Sequence, residues 1–330
     1  MLKKSSLGQL QGKKNLLAFS AGVDSSALFF ILLENNINFD IAIVDYNIRE
    51  QSKKEVAYAK ELAHTHNLKC HTLSVAKIDK NFEAHARETR YDFFEELIKE
   101  YNYENLLTAH HLGDRFEWML MQFCKGAGCA ELAGIQESTS RDNYTLLRPL
   151  LHLDKQELLS FLKEKKIKYF EDESNLDEDI KRNSFRHNYT SPLLKKYLSG
   201  IKKSFDYLDE DRASLIQDID LQTLGNFAYF KSSQNSRNDI YVIDKYLKSQ
   251  NHMLSASERE LLKSKKSLIA GRKFIINQEH GFVFITPFVK TQKLSKEFKE
   301  KMRLLKIEPK LRGYLFENDD ALKLIIQLLF

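Results

Sequence analysis

The amino-terminal half of the chain alternates short apolar runs with amphipathic segments, and this alternation constrains the fold more than any other feature. Apolar runs typical of buried strands lie at residues 15–20, 39–46, 69–75 and 105–110. Because parallel strands must be joined by a long crossover, usually a helix, this order predicts an α/β fold. We expect a parallel, twisted sheet with helices on both faces and with ligands at the carboxyl ends of its strands.

The helical segments between these runs have recognisable starts. Ser52 and Glu55 have the spacing of a capping box, which predicts a helix from Ser52 to about residue 66. Asp154 and Glu157 repeat that spacing before another helical segment. Other helices are predicted over residues 25–34, 81–101 and 113–125.

The pattern changes after about residue 200, where a smaller α+β domain is predicted. Its helices are expected over residues 204–224 and 255–265, and its hairpin over residues 273–276 and 282–285 with a turn at 277–281. A chain of 330 residues is long enough for two domains. We expect one domain over residues 1–200 and a second over residues 201–330, joined by a helical segment.

Composition excludes several classes of protein. No apolar run approaches the ~20 residues of a membrane span, and the first residues lack the apolar stretch of a secretory signal. The three cysteines, Cys70, Cys124 and Cys129, are too few and too scattered for a disulfide framework or a zinc site. The sequence therefore predicts a soluble, cytoplasmic protein, with 51 basic residues, 46 acidic residues and a net charge of +5.

The strongest functional signal follows the first predicted strand, where residues 20–26 are Ser-Ala-Gly-Val-Asp-Ser-Ser. A loop of small residues that leads into a helix directs backbone N–H groups and the positive helix end at one anion. The hydroxyls of Ser20, Ser25 and Ser26 add donors, and Asp24 is suited to hold Mg²⁺ against phosphates. An ordinary strand-to-helix turn capped by Asp24 explains the same residues about equally well.

A second cluster, His110, His111, Asp114 and Glu117, follows the fourth predicted strand. Asp114 and Glu117 are three residues apart, so both carboxylates share one face near the start of a helix. There they can bind an ammonium group and accept its proton. The simpler interpretation is that the carboxylates only complement the helix dipole and that the histidines only pack or hydrogen bond.

Two basic clusters complete the set of candidate residues. Arg87 and Arg90 share a helix face and can clamp a phosphate or carboxylate, although a solvated surface is the commoner outcome. Arg182, Asn183 and Arg186 lie in a long stretch without any acid. Such a stretch either follows a nucleic-acid backbone or forms a solvated helix surface.

The order of these motifs resembles the tRNA(Ile)-lysidine synthetase family of PP-loop ATP pyrophosphatases, whose loop reads SGGxDS. The resemblance covers roughly residues 14–200 and also rests on residues 44–49, 125–134, 148–151 and 172–175. It implies a PP-loop α/β catalytic domain, a smaller tRNA-binding domain, and a ligase that converts the wobble cytidine of tRNA(Ile) to lysidine. It also implies ATP and L-lysine as co-substrates, Mg²⁺ as cofactor, AMP and pyrophosphate as products, and allows a homodimer.

The resemblance assigns a role to each matching residue. The ATP-binding loop comprises Ser20, Ala21, Gly22, Val23, Asp24, Ser25 and Ser26, with Asp24 acting through Mg²⁺. Asp114 and Glu117 would orient and deprotonate the lysine amine. The residues expected at lysine or the adenylate are Arg87, Arg90, His110 and His111, and those expected at the adenylate or tRNA are Arg182, Asn183 and Arg186.

The sequence departs from the family pattern at several positions. Ala21 replaces a loop glycine, Tyr46 a His, Gly113 an Asp, Arg115 a Gln and Trp118 a Thr. Gly113 matters most, because one carboxylate of the site is lost. Two alternatives remain: a thiolating PP-loop enzyme, for which clustered cysteines are expected in the iron–sulfur type, and a non-catalytic tRNA-binding relative.

Overall fold

The computed structural model describes residues 1–47, 50–75, 82–171, 181–217, 219–290 and 294–330. It divides into two compact units, Met1–Glu210 and Asp211–Phe330. The predicted boundary at residue 200 lies inside a helix, Ser191–Leu215, and this helix also contains the observed division. Of the motifs considered above, residues 48, 49 and 172–175 lie outside the described residues.

The first unit is built on a six-stranded sheet. Its strands are β1 (Asn15–Ala18), β2 (Phe39–Asp45), β3 (Cys70–Ser74), β4 (Asn105–Leu107), β5 (Ser138–Ser140) and β6 (Thr145–Leu147). Its helices are α1 (Lys4–Leu10), α2 (Val23–Glu34), α3 (Glu50–Thr65), α4 (Phe82–Tyr101), α5 (Leu112–Phe123), α6 (Cys129–Leu132), α7 (Lys155–Glu164), α8 (Lys181–Phe185) and α9 (Ser191–Leu215). A π-helical turn, Arg186–Thr190, links α8 to α9.

The strand order is β3-β2-β1-β4-β6-β5, and the predicted parallel α/β sheet is confirmed. Among the described strands of this sheet, β5 alone runs antiparallel, against β6. β1 lies between β2 and β4, with Leu17 opposite both Ile41 and Leu107. The chain leaves β1 toward one side of the sheet and later returns on the other, which creates a switch point where ligands bind in such sheets. The loops after β1 and β4 are therefore neighbours.

Helix α2 fixes the loop after β1, because the helix is apolar on almost every face. Leu28, Phe29, Ile31 and Leu32 are fully buried between the sheet and α7. Each such side chain stabilises the fold by about 1.5–3 kcal/mol relative to an exposed one. The amino end of α2 is consequently held rigidly against the carboxyl end of the sheet.

One of the two predicted capping boxes is correct. Asp154 caps α7 by accepting from the backbone N–H of Glu157 at 2.8 Å, and Glu157 accepts from that of Asp154 at 2.8 Å. The box at Ser52 is wrong, since α3 already begins at Glu50. Ser52 lies inside the helix, and its hydroxyl donates to Asp45 at the end of β2, at 2.6 Å.

The second unit contains a five-stranded antiparallel sheet of order β7-β8-β11-β10-β9. Its strands are β7 (Gln222–Leu224), β8 (Phe227–Lys231), β9 (Ser267–Ala270), β10 (Phe274–Glu279) and β11 (Phe282–Pro287). Its helices are α10 (Ser236–Ser249), α11 (Ala256–Ser264), α12 (Lys296–Leu304), α13 (Arg312–Glu317) and α14 (Asp319–Leu329). Helices cover both faces, with Phe230 and Ile243 in one core and Phe284 and Ile325 in the other.

Two predictions for this unit need correction. The hairpin exists, but its turn is the pair His280–Gly281 and not residues 277–281, because Asn277 continues β10. Both turn residues have positive φ, 48° and 78°, as a tight two-residue hairpin requires. The helix predicted over residues 204–224 ends at Leu215, and Gln222–Leu224 is a strand. None of the helices described here is long and apolar enough to cross a membrane.

Candidate active site

The predicted phosphate loop joins β1 directly to α2. Gly22 is the N-cap of α2, and Asp24 lies in the first helical turn. The hydroxyl of Ser25 accepts from the backbone N–H of Ser20 at 3.2 Å and lies 3.1 Å from the hydroxyl of Ser20. The carbonyl of Ala21 accepts from the N–H of Phe170 at 2.9 Å, which ties the loop to the strand-like segment after α7. The loop is thus closed and supported from two sides.

Ala21 occupies a position that favours glycine. It is fully buried and has a φ of 59°, in the left-handed region, which costs a residue with a Cβ atom roughly 1–2 kcal/mol. The backbone therefore turns as a glycine would allow, although alanine stands there. The alanine therefore adds local backbone strain that a glycine would avoid.

Asp24 has a partner that the sequence did not reveal. The ammonium of Lys155 donates to both carboxylate oxygens of Asp24, at 2.8 and 3.0 Å. Lys155 is the first residue of α7, just after the cap Asp154. The capping box located the start of α7, but only the packing of α7 against α2 brings the ammonium to the loop.

The second cluster lies where β4 ends and α5 begins. His111 is the N-cap of α5, and its Nδ1 accepts from the backbone N–H of Gly113 at 2.9 Å. Asp114 accepts from the N–H of His111 at 3.0 Å, which completes a capping box. The imidazole Nε2 of His111 lies 3.6 Å from Asp114 and 3.8 Å from Asp24. The two predicted clusters therefore meet at His111.

Asp114 and Glu117 share one face of α5, as predicted, and both are buried. Arg182 donates to Glu117 through Nε and to Asp114 through Nη2, the latter at 2.9 Å. Arg186 donates to Glu117 at 3.0 Å and to Asp114 at 3.4 Å. Two guanidinium groups thus compensate two carboxylates that would be costly to bury alone. Arg182 and Arg186, which were expected at the adenylate or tRNA, therefore form ion pairs with both carboxylates.

The protonation of this cluster follows from its surroundings. Burial alone would raise the pKa of Asp114, but His111, His110, Arg182 and the backbone N–H of His111 bring that pKa well below its usual value. Burial lowers the pKa of His110 to about 4, with Arg148, Arg182 and Arg87 acting in the same direction against Asp114. Asp114 is therefore ionised and His110 neutral at pH 7.

We expect His110 to make folding stability depend on pH. Because its folded pKa is about 4 and the unfolded value about 6.5, the unfolded chain binds more protons between these values. The free energy of unfolding should therefore fall as the pH drops from 6.5 to 4, by up to about 1.4 kcal/mol per pH unit. Urea denaturation at pH 7, 6 and 5 measures this slope.

His110→Gln should flatten that slope, whereas His280→Gln, in the exposed hairpin turn, should leave it unchanged. The prediction is wrong if wild type and His110→Gln lose stability equally over this range. Thr108, which lies 2.9 Å from Nδ1 of His110, remains available to the glutamine.

The other predicted residues lie around this cluster in different ways. Arg87 stacks on Tyr91 at 4.9 Å, and its charge helps to lower the pKa of His110. The charge of Arg90 acts instead on Tyr46, where it opposes the rise in pKa that burial causes. The Tyr46 hydroxyl donates to the carbonyl of Ala86 at 2.7 Å. Asn183 is buried, and it lies along the chain between Arg182 of α8 and Arg186 of the π-helical turn.

Two departures from the family pattern also have a structural explanation. Arg115 is buried, donates to the carbonyl of Ala133 and pairs with Asp209 of α9, and its guanidinium stacks on Phe205 at 4.3 Å. These contacts link α5 to α9, and they do not involve Asp114 or Glu117. Trp118 lies on the outer face of α5 and is 46% exposed.

Comparisons with known proteins fit this geometry. A PP-loop domain model matches residues 2–193. The tRNA(Ile)-lysidine synthase of Helicobacter pylori is 43% identical over 95% of this chain and 92% of its own length. The tRNA(Ile)-lysidine synthase of Campylobacter jejuni strain RM1221 is 41% identical over 96% and 97% of the two chains.

Among solved structures, the U34-tRNA thiolase NcsA from Methanococcus maripaludis, which carries a 4Fe-4S cluster, matches with a TM-score of 0.53. It is 16% identical over 66% of this chain and 78% of its own, a likeness that shows a shared fold only. The two synthases, by contrast, match nearly the whole chain, both units included. The family expected from the sequence motifs is confirmed: the chain belongs to the tRNA(Ile)-lysidine synthase family of PP-loop proteins.

Proposed function

We propose that this protein ligates L-lysine to the wobble cytidine of tRNA(Ile) and that its two predicted clusters perform the two halves of the reaction. The observation that carries the proposal is the meeting of the loop after β1 with the carboxylates after β4, only 3.8 and 3.6 Å from a shared imidazole. A nucleotide-binding loop and an ammonium-binding pair at one switch point suit an ATP-dependent ligase that uses an amine.

The proposed chemistry has two steps. The cytosine carbonyl oxygen attacks the α-phosphorus of ATP, and pyrophosphate leaves. The ε-amine of lysine then attacks the activated ring carbon, and AMP leaves with the former carbonyl oxygen. The amine must lose a proton in the second step, which a carboxylate at hydrogen-bonding distance accelerates by about 10²–10⁴.

The loop from Ser20 to Ser26 is suited to bind the pyrophosphate part of ATP. The first turn of α2 presents its N–H groups and its positive dipole end to this loop. The hydroxyl of Ser26 is buried without a hydrogen-bond partner among the described residues, a condition that costs about 1–3 kcal/mol. A phosphate oxygen would relieve it, and Lys155 would add a positive charge beside the same loop.

Mg²⁺ fits this loop as an ion shared with the nucleotide. In the described part of the chain, no three carboxylate, imidazole or thiol groups gather closely enough to hold a metal by themselves. Mg²⁺ in nucleotide sites commonly uses one or two carboxylates and completes its shell with phosphates and water. Asp24 would supply that carboxylate, and the ion would neutralise charge on the departing pyrophosphate.

Asp114 and Glu117 are suited to receive the lysine ammonium. Both are buried carboxylates whose present cationic partners are Arg182 and Arg186. Since guanidinium groups also bind phosphate well, we propose that these arginines contact the adenylate when the amine takes their place. Arg87 and Arg90 are exposed on α4, where they would reach the lysine carboxylate, and neutral His110 would line the same rim.

The outer face of α9 is proposed to bind the tRNA backbone. Its inner face packs on α5 through Leu198 and Phe205. Outside, Lys196 stacks on Tyr197 at 5.1 Å and Lys203 on Tyr207 at 5.5 Å. Both tyrosines are half-exposed, and exposed aromatics between lysines suit stacking on bases beside phosphate contacts.

Replacing Lys196 and Lys203 together with alanine should weaken tRNA binding and reduce the slope of log K against log salt concentration by about 2. Filter binding at several salt concentrations measures both effects. The matched control replaces Lys60 and Lys99, exposed residues near the far ends of α3 and α4, and should leave both quantities unchanged. Equal losses in the two double variants would contradict a specific α9 surface.

The deciding experiment combines purified protein, unmodified tRNA(Ile) transcript, ATP, Mg²⁺ and labelled lysine. Stable labelling of the tRNA with release of AMP and pyrophosphate supports the proposal. Binding of tRNA without labelling favours the non-catalytic alternative instead. We further propose that the protein acts in the cytoplasm on its tRNA substrate, and light scattering tests whether it forms the homodimer that the resemblance allows.

The second unit is proposed to hold more of the tRNA. Its support is the continuous match to the synthases across both units. Comparing chimeric tRNAs, with exchanged acceptor stems and anticodon loops, in the full chain and in residues 1–210 tests this role.

A further inference from the structure

The imidazole of His111 occupies space that only a glycine at position 113 leaves open. A Cβ atom on Gly113 would lie 2.6 Å from Cε1 and 3.0 Å from Nδ1 of His111. Carbon atoms separated by 2.6 Å overlap severely, so any side chain at position 113 would displace the ring. Gly113 is the second residue of α5 and does not have a positive φ, so neither helix propensity nor backbone conformation calls for glycine there.

The ring also has a defined orientation. Its Nδ1 accepts the N–H of Gly113 at 2.9 Å, so in the neutral imidazole the proton is on Nε2. That N–H lies between Asp24 of α2 and Asp114 of α5, at 3.8 and 3.6 Å from the nearest oxygens. The ring is buried and spans the gap between the phosphate loop and the ammonium-binding carboxylates.

We propose that His111 is a positioning residue that holds the adenylating half and the amine-binding half of the site in register, and that Gly113 is the residue that admits its ring. The inference rests on the proposed function, because register matters only if both halves act on one tRNA. A misplacement of about 1 Å between reacting groups can cost 10²-fold in rate. Loss of the ring should therefore let pyrophosphate form without efficient transfer of lysine.

Three variants separate this role from helix capping. His111→Ser keeps an N-cap hydroxyl but removes the ring, Gly113→Ala keeps the histidine but pushes its ring out, and the third variant combines the two. In each, we expect lysidine formed per pyrophosphate released to fall about 10–100-fold. The N-cap remains in His111→Ser, so any drop in its melting temperature reports the lost packing of the buried ring and not the loss of the cap.

The combination is the decisive measurement. If the alanine acts by displacing the ring, Gly113→Ala should reduce the coupling ratio of the wild-type protein and have no further effect when it is added to His111→Ser. Equal effects of the alanine with and without the imidazole, or wild-type coupling in His111→Ser, would overturn the inference. Gly8→Ala in α1, whose added Cβ would contact nothing within 4 Å, is the control and should keep wild-type coupling.

Failure of this inference can be distinguished from failure of the proposed function. If the wild-type protein forms no lysidine, the proposed function fails before any variant is compared. If the wild type is active and the effects of the two substitutions are additive, only the role of His111 and Gly113 is refuted.

Discussion

A Glu117→Gln variant is expected to release pyrophosphate at close to the wild-type rate but to form lysidine about a thousandfold more slowly. Glu117 is 1% exposed, and its two oxygens accept from Arg182 and Arg186. Glutamine keeps the shape and one acceptor but cannot take a proton from the lysine ammonium. The adenylation step uses the loop after β1 and needs no such base.

Single-turnover assays that follow labelled pyrophosphate and labelled lysine in parallel measure both steps. Glu104→Gln is the control, because Glu104 is also paired, with Lys13 at 2.7 Å, but precedes β4 at the other end of the sheet. A melting temperature reports any loss of the arginine pairs. Equal slowing of pyrophosphate release and lysidine formation would mean that Glu117 supports the fold or the first step and is not the base.

The elements around the site were predictable because their signals are local. Strands β1, β2 and β4 fall within the predicted runs, since buried parallel strands are nearly continuous apolar segments. The loop after β1 was located by small residues placed between a strand and a helix. The carboxyl-end rule then indicated which loops to inspect for chemistry, and the structure places two of them, after β1 and β4, on neighbouring strands.

The partners within the site were not predictable, because each contact joins distant segments. Lys155 reaches Asp24 across 131 positions, and Arg182 reaches Asp114 across 68. The family resemblance assigned Arg182 and Arg186 to RNA or the adenylate and the carboxylates of α5 to lysine, and it gave no sign that they pair. Only the packing of α8 and the π-helical turn against α5 decides this.

Gly113 is a position where the sequence pattern and the structure lead to different conclusions. Comparison with the family pattern indicated that one carboxylate of the site is missing at Gly113. The structure shows that a Cβ atom at position 113 would collide with the ring of His111, whose Nε2 lies near Asp24 and Asp114.

The charges of the site balance without substrate. Asp24, Asp114 and Glu117 face Lys155, Arg182 and Arg186, three negative charges against three positive. In the proposed reaction, ATP would add negative charge beside the cations, and lysine would bring an ammonium to the anions. The internal ion pairs would then be replaced by contacts with substrate, so that neither set of side chains is left without a partner of opposite charge.

The Asp24→Asn substitution is expected to impair the first step of the reaction, in which the cytosine oxygen is adenylated. Pyrophosphate release and lysidine formation should both fall by about 10²–10³, because the charged group that would hold Mg²⁺ at the leaving pyrophosphate is lost and Lys155 loses its anionic partner. This pattern differs from that of Glu117→Gln, which should slow only the second step. Stability should change by no more than about 1 kcal/mol, because the Asp24–Lys155 pair is partly exposed.

The same parallel assay distinguishes the two variants, and a titration with Mg²⁺ tests the cause. A lost ion ligand should move half-saturation to higher Mg²⁺ concentration in Asp24→Asn. Asp319→Asn is the matched control, since Asp319 also lies in the first turn of a helix, α14, and pairs with a lysine, Lys323, at 2.7 Å. Wild-type rates of pyrophosphate release in Asp24→Asn would contradict the assignment of residues 20–26 as the ATP loop, and the two-step scheme with it.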